Sequence, residues 1–200
     1  PKGDMVRGAE FRSTRRGEQI EVVAPRIVIG TSIEGQAITA ERVGDAGGRQ
    51  VLVIGAIHGD EDAGIQVVDG LRERTIDERV ELWLIDSMNP DSVARQERHN
   101  SNEVDLNRNF PDKWGSIGQP GNSQYAGTSP ASEPETRAVV SFITWLRPDI
   151  VLWYHQDANL ILPSTGRDSR IRARYAELTV LPLADCCGDA NAVLTIGIEG

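Results

Sequence analysis

The sequence predicts an α/β fold: a three-layer α/β/α sandwich around a mixed, mostly parallel sheet. Two observations carry this. Continuous apolar runs at Val51–Ala56, Val80–Ile85, Asp149–Tyr154 and Val193–Ile198 read as strands buried on both faces. Between them lie segments with helical spacing of apolar residues, and strands alternating with helices build layered α/β sheets.

Taken in order, residues 1–19 are polar and irregular. Ile20–Ile29 and Ala37–Val43 are apolar and β-rich, with Gly30 and Gly35 between them as turn formers, so they read as an antiparallel hairpin. After the strand Val51–Ala56, residues from about Asp60 to Arg74 place Ile65, Val68 and Leu71 on one helical face. The stretch Asp86–Ser129 is long and rich in Asn, Asp, Gly, Ser and Pro, and loops of that length in compact domains are usually functional or disordered. Ser132 followed by Glu135 matches a capping box, opening a helix that runs to about Leu146 and stops before Pro148. Arg167–Glu177 also reads as a helix. The 200 residues are expected to form a single domain.

Composition narrows the function. A formal net charge of −9 disfavours nucleic acid, whose phosphates need clustered Lys and Arg. The one basic cluster, Arg12 with Arg15 and Arg16, reads as a solvated loop. No apolar run approaches the roughly 20 residues needed to span a bilayer, so no membrane partner is expected. No signal peptide is visible, and the chain lacks an initiator Met, which leaves localisation open. Cys186 and Cys187 are adjacent and cannot staple distant segments; they are expected to be free thiols.

The chemistry concentrates at strand ends, where α/β sheets gather their sites. His58 and Glu61 sit where Val51–Ala56 gives way to a helix, and His155 follows the run ending in Trp153-Tyr154. Two imidazoles and one carboxylate form the ligand set of a catalytic zinc that keeps a fourth position for water. An isolated HxxE is common, but three such residues at strand ends, in a chain with only three histidines, point to a metal. His99, in the polar loop, reads as solvated or as a neighbour of the ligands rather than a ligand. A second group, Arg98, Asn107 and Arg108, shares that loop. Guanidinium groups take carboxylates through paired hydrogen bonds, so the loop suits an anionic substrate end; pairing with acids such as Asp105 is the alternative. Glu199 ends the last apolar run. A carboxylate there is either solvated or placed to accept a proton from water at the metal and pass it to a leaving amine.

With these residues in view, the chain resembles the M14 zinc carboxypeptidases from about Gly30 to Glu199. Gly30-Thr-Ser-Ile-Glu-Gly35, Gly55-Ala-Ile-His-Gly-Asp-Glu61, Arg98 through Pro111 and Tyr125 through Thr136 are similar to that family's motifs, in order. The resemblance implies one zinc ion held by His58, Glu61 and His155. It implies Arg98 as the group that polarises the scissile carbonyl, Asn107 and Arg108 as a clamp on the substrate's terminal carboxylate, and Glu199 as general base and then acid. Three positions depart from the pattern: Glu103 stands where Gly is frequent, Ser92 follows Asn89-Pro-Asp, and no Tyr lies between Ala176 and Glu199 to serve as the mobile substrate-binding residue. The implied substrate is a peptide or small acidic molecule with a free carboxylate, a cell-wall (murein) peptide included. A related zinc deacylase of N-acyl amino acids and a non-catalytic binding protein on the same fold are the competing readings. Asp185 near the pocket floor would favour a basic side chain.

Overall fold

A computed structural model describes residues 26–156, 160–184 and 195–197 of the chain. Six strands form one mixed sheet in the order β1-β2-β4-β3-β5-β6. They are β1 (Arg26–Thr31), β2 (Ala37–Val43), β3 (Arg49–Ala56), β4 (Val80–Ser87), β5 (Ile150–Trp153) and β6 (Thr195–Gly197). The centre is parallel, with β3 paired to β4 on one side and to β5 on the other. The edges are antiparallel: β1 on β2, β2 on β4, and β6 on β5.

The continuous apolar runs are the central strands because those strands are covered on both faces. α1 (Ala63–Arg72) packs on one face, where Val68 meets Val53, Leu82 and Leu84. α4 (Ser169–Thr179) covers the same side further along, through Ala176 and Tyr175 against Leu152 and Tyr154. α3 (Pro134–Leu146) closes the opposite face, with Val139, Phe142 and Ile143 packed on Leu52, Ile54, Trp83 and Ile85. Successive strand residues point to opposite faces, so β5 sends Leu152 and Tyr154 toward α4 and Val151 and Trp153 toward α3. The three-layer arrangement is the expected one.

Several local expectations are corrected. Gly30 is not a turn residue; it lies within β1, at an irregularity in register between Val28 and Gly30. A side chain there would collide with Ala138 of α3, which explains the glycine. The turn is made at Gly35, whose φ of 83° favours glycine. The capping box does not form. Pro134 takes the first helical position, Glu133 is the N-cap, and Ser132 Oγ donates to Glu133 Oε1 rather than accepting from a helix N–H. The long loop holds a short helix, α2 (Pro90–Arg95), and a 3₁₀ turn at Leu106–Arg108.

Glu199 could act on water at the metal from the end of the last strand only if that strand ended beside His58 and His155. Its direction is the reverse: Thr195 pairs with Trp153 and Gly197 with Val151, so the strand's C-terminal end lies at the far end of β5 from His155. Glu199, Asp185, both cysteines and the Arg12 cluster lie outside the described residues. Among the described residues, no helix is long and apolar enough to cross a membrane.

Candidate metal centre and carboxylate site

The register of the parallel centre brings the ligand candidates together. Ile54 of β3 stands opposite Trp153 of β5, and each chain then runs a short way past its strand to His58 and His155. The His58 turn is fixed by close packing. A Cβ on Gly59 would lie 2.1 Å from the Ser92 carbonyl carbon, and Gly59 N donates to Glu97 O at 2.8 Å. The start of α1 is pressed equally hard, since a Cβ on Gly64 would lie 2.1 Å from Gly55 O. Only glycine lets α1 approach β3 so closely, and that approach turns Glu61 back toward His58.

Glu61 lies between the two rings. Its Oε1 is 2.9 Å from His58 Nδ1 and its Oε2 is 2.9 Å from His155 Nδ1. Three donor atoms, one from each residue, lie within 4.8 Å of one another, and His58 and Glu61 are almost wholly buried. The rings are 5.2 Å apart at 49°. Asp105, fully buried, takes the other side of His58, with Oδ1 2.9 Å from Nε2. Donation of Nε2–H to Asp105 leaves the Nδ1 lone pair facing Glu61 and His155, the tautomer a metal ligand needs. Two imidazole nitrogens and a carboxylate, buried and convergent, fit a zinc-type ion with one position left open.

The charges are strongly coupled. Burial alone would raise the Glu61 carboxyl, but hydrogen bonds to His155 and His58 outweigh it and bring its pKa to about 2. Burial disfavours the charged His58 ring, yet Asp105 and Glu61 outweigh it and raise its pKa above the usual histidine value. Asp105 is lowered: burial opposes ionisation, and the His58 and Arg98 contacts overcome it.

The structure brings Arg98 directly into this cluster. Nη1 is 3.1 Å from Glu61 Oε1 and 3.2 Å from His58 Nδ1, and Nη2 donates to Asp105 Oδ2 at 2.9 Å. Its Nε donates to Ser123 O. Arg108 is placed differently. It forms no ion pair among the described residues and donates only to the Asn107 carbonyl, at 3.4 Å. The Asn107 side chain is exposed and lines, together with His155, a pocket of about 520 Å³ walled by Ile57, Phe110, Val151 and Trp153. Arg108 follows Asn107 in the chain but does not itself line the pocket; a guanidinium with no carboxylate partner among the described residues is able to take an anionic group. His99 is no ligand; its Nε2 is buried without a partner.

Two contributors escaped the sequence reading. In sequence, Asp105 reads only as a loop partner for the arginines. Gln156, directly after His155, donates its backbone N–H to Glu61 Oε2 at 3.2 Å and accepts from Ala63 N at 2.7 Å. It thereby ties the end of β5 to the start of α1. Its position next to a ligand was the only signal available.

Comparison with known proteins agrees with this geometry. The model of the zinc carboxypeptidase family matches residues 18–181. Carboxypeptidase SOL1 of Arabidopsis thaliana is 31% identical over 137 residues, covering 60% of this chain and 26% of that protein. Murein peptide amidase A of Escherichia coli K12 is 30% identical over 149 residues, covering 68% of this chain and 60% of that protein. The chain thus spans about a quarter to three-fifths of the length of these relatives. Among solved structures, murein-tripeptide amidase from Escherichia coli O157 superposes with a TM-score of 0.67 at 26% identity, covering 84% of this chain and 75% of that one. Carboxypeptidase A from Helicoverpa armigera, at 22% identity, shares the fold with a TM-score of 0.66, covering 78% of this chain and 48% of that one.

Proposed function

The chain belongs to the zinc carboxypeptidase family, and from that premise we propose that it is a zinc-dependent metallocarboxypeptidase, cleaving the C-terminal amide bond of a peptide. The observation that carries the reading is the convergence of His58 Nδ1, His155 Nδ1 and Glu61 with His58 Nε2 held by Asp105. A zinc ion bound there would supply a Lewis acid that activates water and polarises the scissile carbonyl. Arg98, beside Glu61 and His58, is the donor for the carbonyl oxygen as negative charge develops on it. Asn107 and Arg108 bind the substrate's terminal carboxylate, a role favoured by a guanidinium with no carboxylate partner among the described residues. Glu199 is assigned as general base, then acid, on the motif resemblance. The direction of β6 makes substitution of Glu199 the sharpest test of that assignment.

The likeness to murein peptide amidase A supports a cell-wall peptide as the substrate. A screen of zinc-supplied protein against short L-peptides, murein peptides and N-acyl amino acids tests the reading. Release of a C-terminal residue from a peptide supports it. Turnover restricted to N-acyl amino acids would assign a deacylase instead, and absence of turnover on all three would favour a binding protein.

A further inference from the structure

Two carboxyl groups at the start of α3 have no part in the chemistry above. Glu133 and Glu135 are 4% and 0% exposed. Their Oε2 atoms converge on a single donor, Asn100 Nδ2, at 2.8 and 3.1 Å. Glu133 Oε2 also accepts from Asn102 Nδ2 at 2.9 Å, and its Oε1 accepts from Ser132 Oγ at 2.6 Å. Glu135 Oε1 accepts from Ile33 N at 2.9 Å. Neither forms an ion pair among the described residues.

Asn100 is equally committed on its other side. Its Oδ1 accepts from Asn102 N at 3.1 Å and Val104 N at 3.0 Å, and its backbone N–H donates to Val104 O at 3.0 Å. One amide therefore folds the turn 100–104 and bolts it to α3. Arg98 leaves this turn on one side and Asn107 and Arg108 on the other. The distance between the carbonyl-polarising group and the carboxylate clamp is set by how that turn is held.

We propose that Glu133 and Glu135 are positioning residues for the Arg98–Arg108 loop, acting through Asn100, with unequal roles. Glu133 fixes the turn directly, since it accepts from both Asn100 and Asn102. Glu135 shares only the Asn100 amide and otherwise holds Ile33 N, so the turn depends on it less. Burial, with Glu133 beside it, raises the Glu135 pKa.

The roles predict an asymmetry between two conservative variants. In Glu133→Gln, one of the two oxygens that accept from Asn100, Asn102 and Ser132 becomes an NH₂ group that cannot accept. In Glu135→Gln, the amide oxygen still accepts from Ile33 N and the NH₂ can donate toward Glu133. With zinc-loaded full chain, Glu133→Gln should raise KM for a free-acid peptide about tenfold or more, with kcat changed less than threefold and zinc still at one per chain. Glu135→Gln should stay within about threefold of the parent on both constants. This kinetic arm rests on the carboxypeptidase reading, so a second readout does not use activity. Amide exchange at Asn102, Val104, Asp105 and Arg108 should accelerate at least tenfold in Glu133→Gln, with the amides of β3 and β4 unchanged, and should be unaffected in Glu135→Gln. If the parent cleaves no peptide, the functional reading fails and the exchange arm alone decides the proposal. Equal damage by both variants, parent-like exchange in Glu133→Gln, or acceleration spread evenly through the sheet would overturn it.

Discussion

His58 Nε2 lies 2.9 Å from Asp105 Oδ1, and this buried contact decides which nitrogen of the ring faces Glu61 and His155. Asp105 sits 47 residues further along the chain, yet it is placed to orient the ring of the proposed ligand His58. Asp105→Ala frees the ring to adopt the other tautomer and to rotate. Zinc affinity should fall about 10- to 100-fold, the usual range for losing such a partner. Asp105→Asn keeps an acceptor oxygen and should lose less. Competition against a chelator of known strength measures both.

On the proposed function, a clamp of Asn107 and Arg108 would set substrate polarity. Amidating the substrate's terminal carboxylate leaves Arg108 without its anion, and truncating one side of such a charged pair costs about 2–5 kcal/mol. The ratio kcat/KM should fall roughly 30-fold or more. Arg108→Ala should abolish most of the difference between free-acid and amidated substrates. Equal turnover of both substrates by the parent protein would remove the carboxypeptidase assignment and leave a generic metallohydrolase.

Glu199→Gln preserves shape and hydrogen bonding while removing the base proposed above. Zinc content should be normal, and kcat should drop at least about 100-fold, the lower end for general acid–base catalysis. KM should change much less, since Asn107 and Arg108 are intact. Retained activity would mean that Glu199 is not the base, in keeping with Gly197 lying opposite Val151.

Zinc affinity should weaken as pH falls, and the sign follows from the two ligands. The His58 pKa is raised, so below that value a proton competes with zinc for Nδ1. The loss should begin above roughly 6.5, the ordinary histidine value. Glu61 stays ionised down to about 2 and contributes nothing to the slope near neutrality. Titrating zinc affinity from pH 5 to 8 checks this; a flat profile would mean that His58 carries no proton in the metal-free protein.

The legible parts of this molecule were those encoded locally. His58 and Glu61 are three residues apart at a strand end, and the buried runs around Val53, Leu84 and Val151 declare themselves by being apolar on both faces. Position across space was harder. Asp105 looks like any loop acid until the fold sets it against His58. Ser132 and Glu135 have the spacing of a capping box, but Pro134 starts the helix and tertiary partners, Ile33 N and Asn100, claim the Glu135 carboxyl. Gly30 reads as a turn former because nothing local reveals that Ala138 presses against it. The direction of β6 depends on pairing with β5, which a run of apolar residues does not specify.

The pairing of Ile54 with Trp153 also makes the metal a proofreader of folding. A slip of β5 by one residue would carry the segment leading to His155 about 3.3 Å along the sheet and turn the strand's side chains to the opposite faces, so His155 would no longer meet Glu61. Misregistered forms would thus lack a ligand. Zinc would bind only chains whose central ladder has already settled correctly, and would draw the population toward them by mass action. Metal uptake during refolding should therefore lag behind formation of the sheet and report on its register.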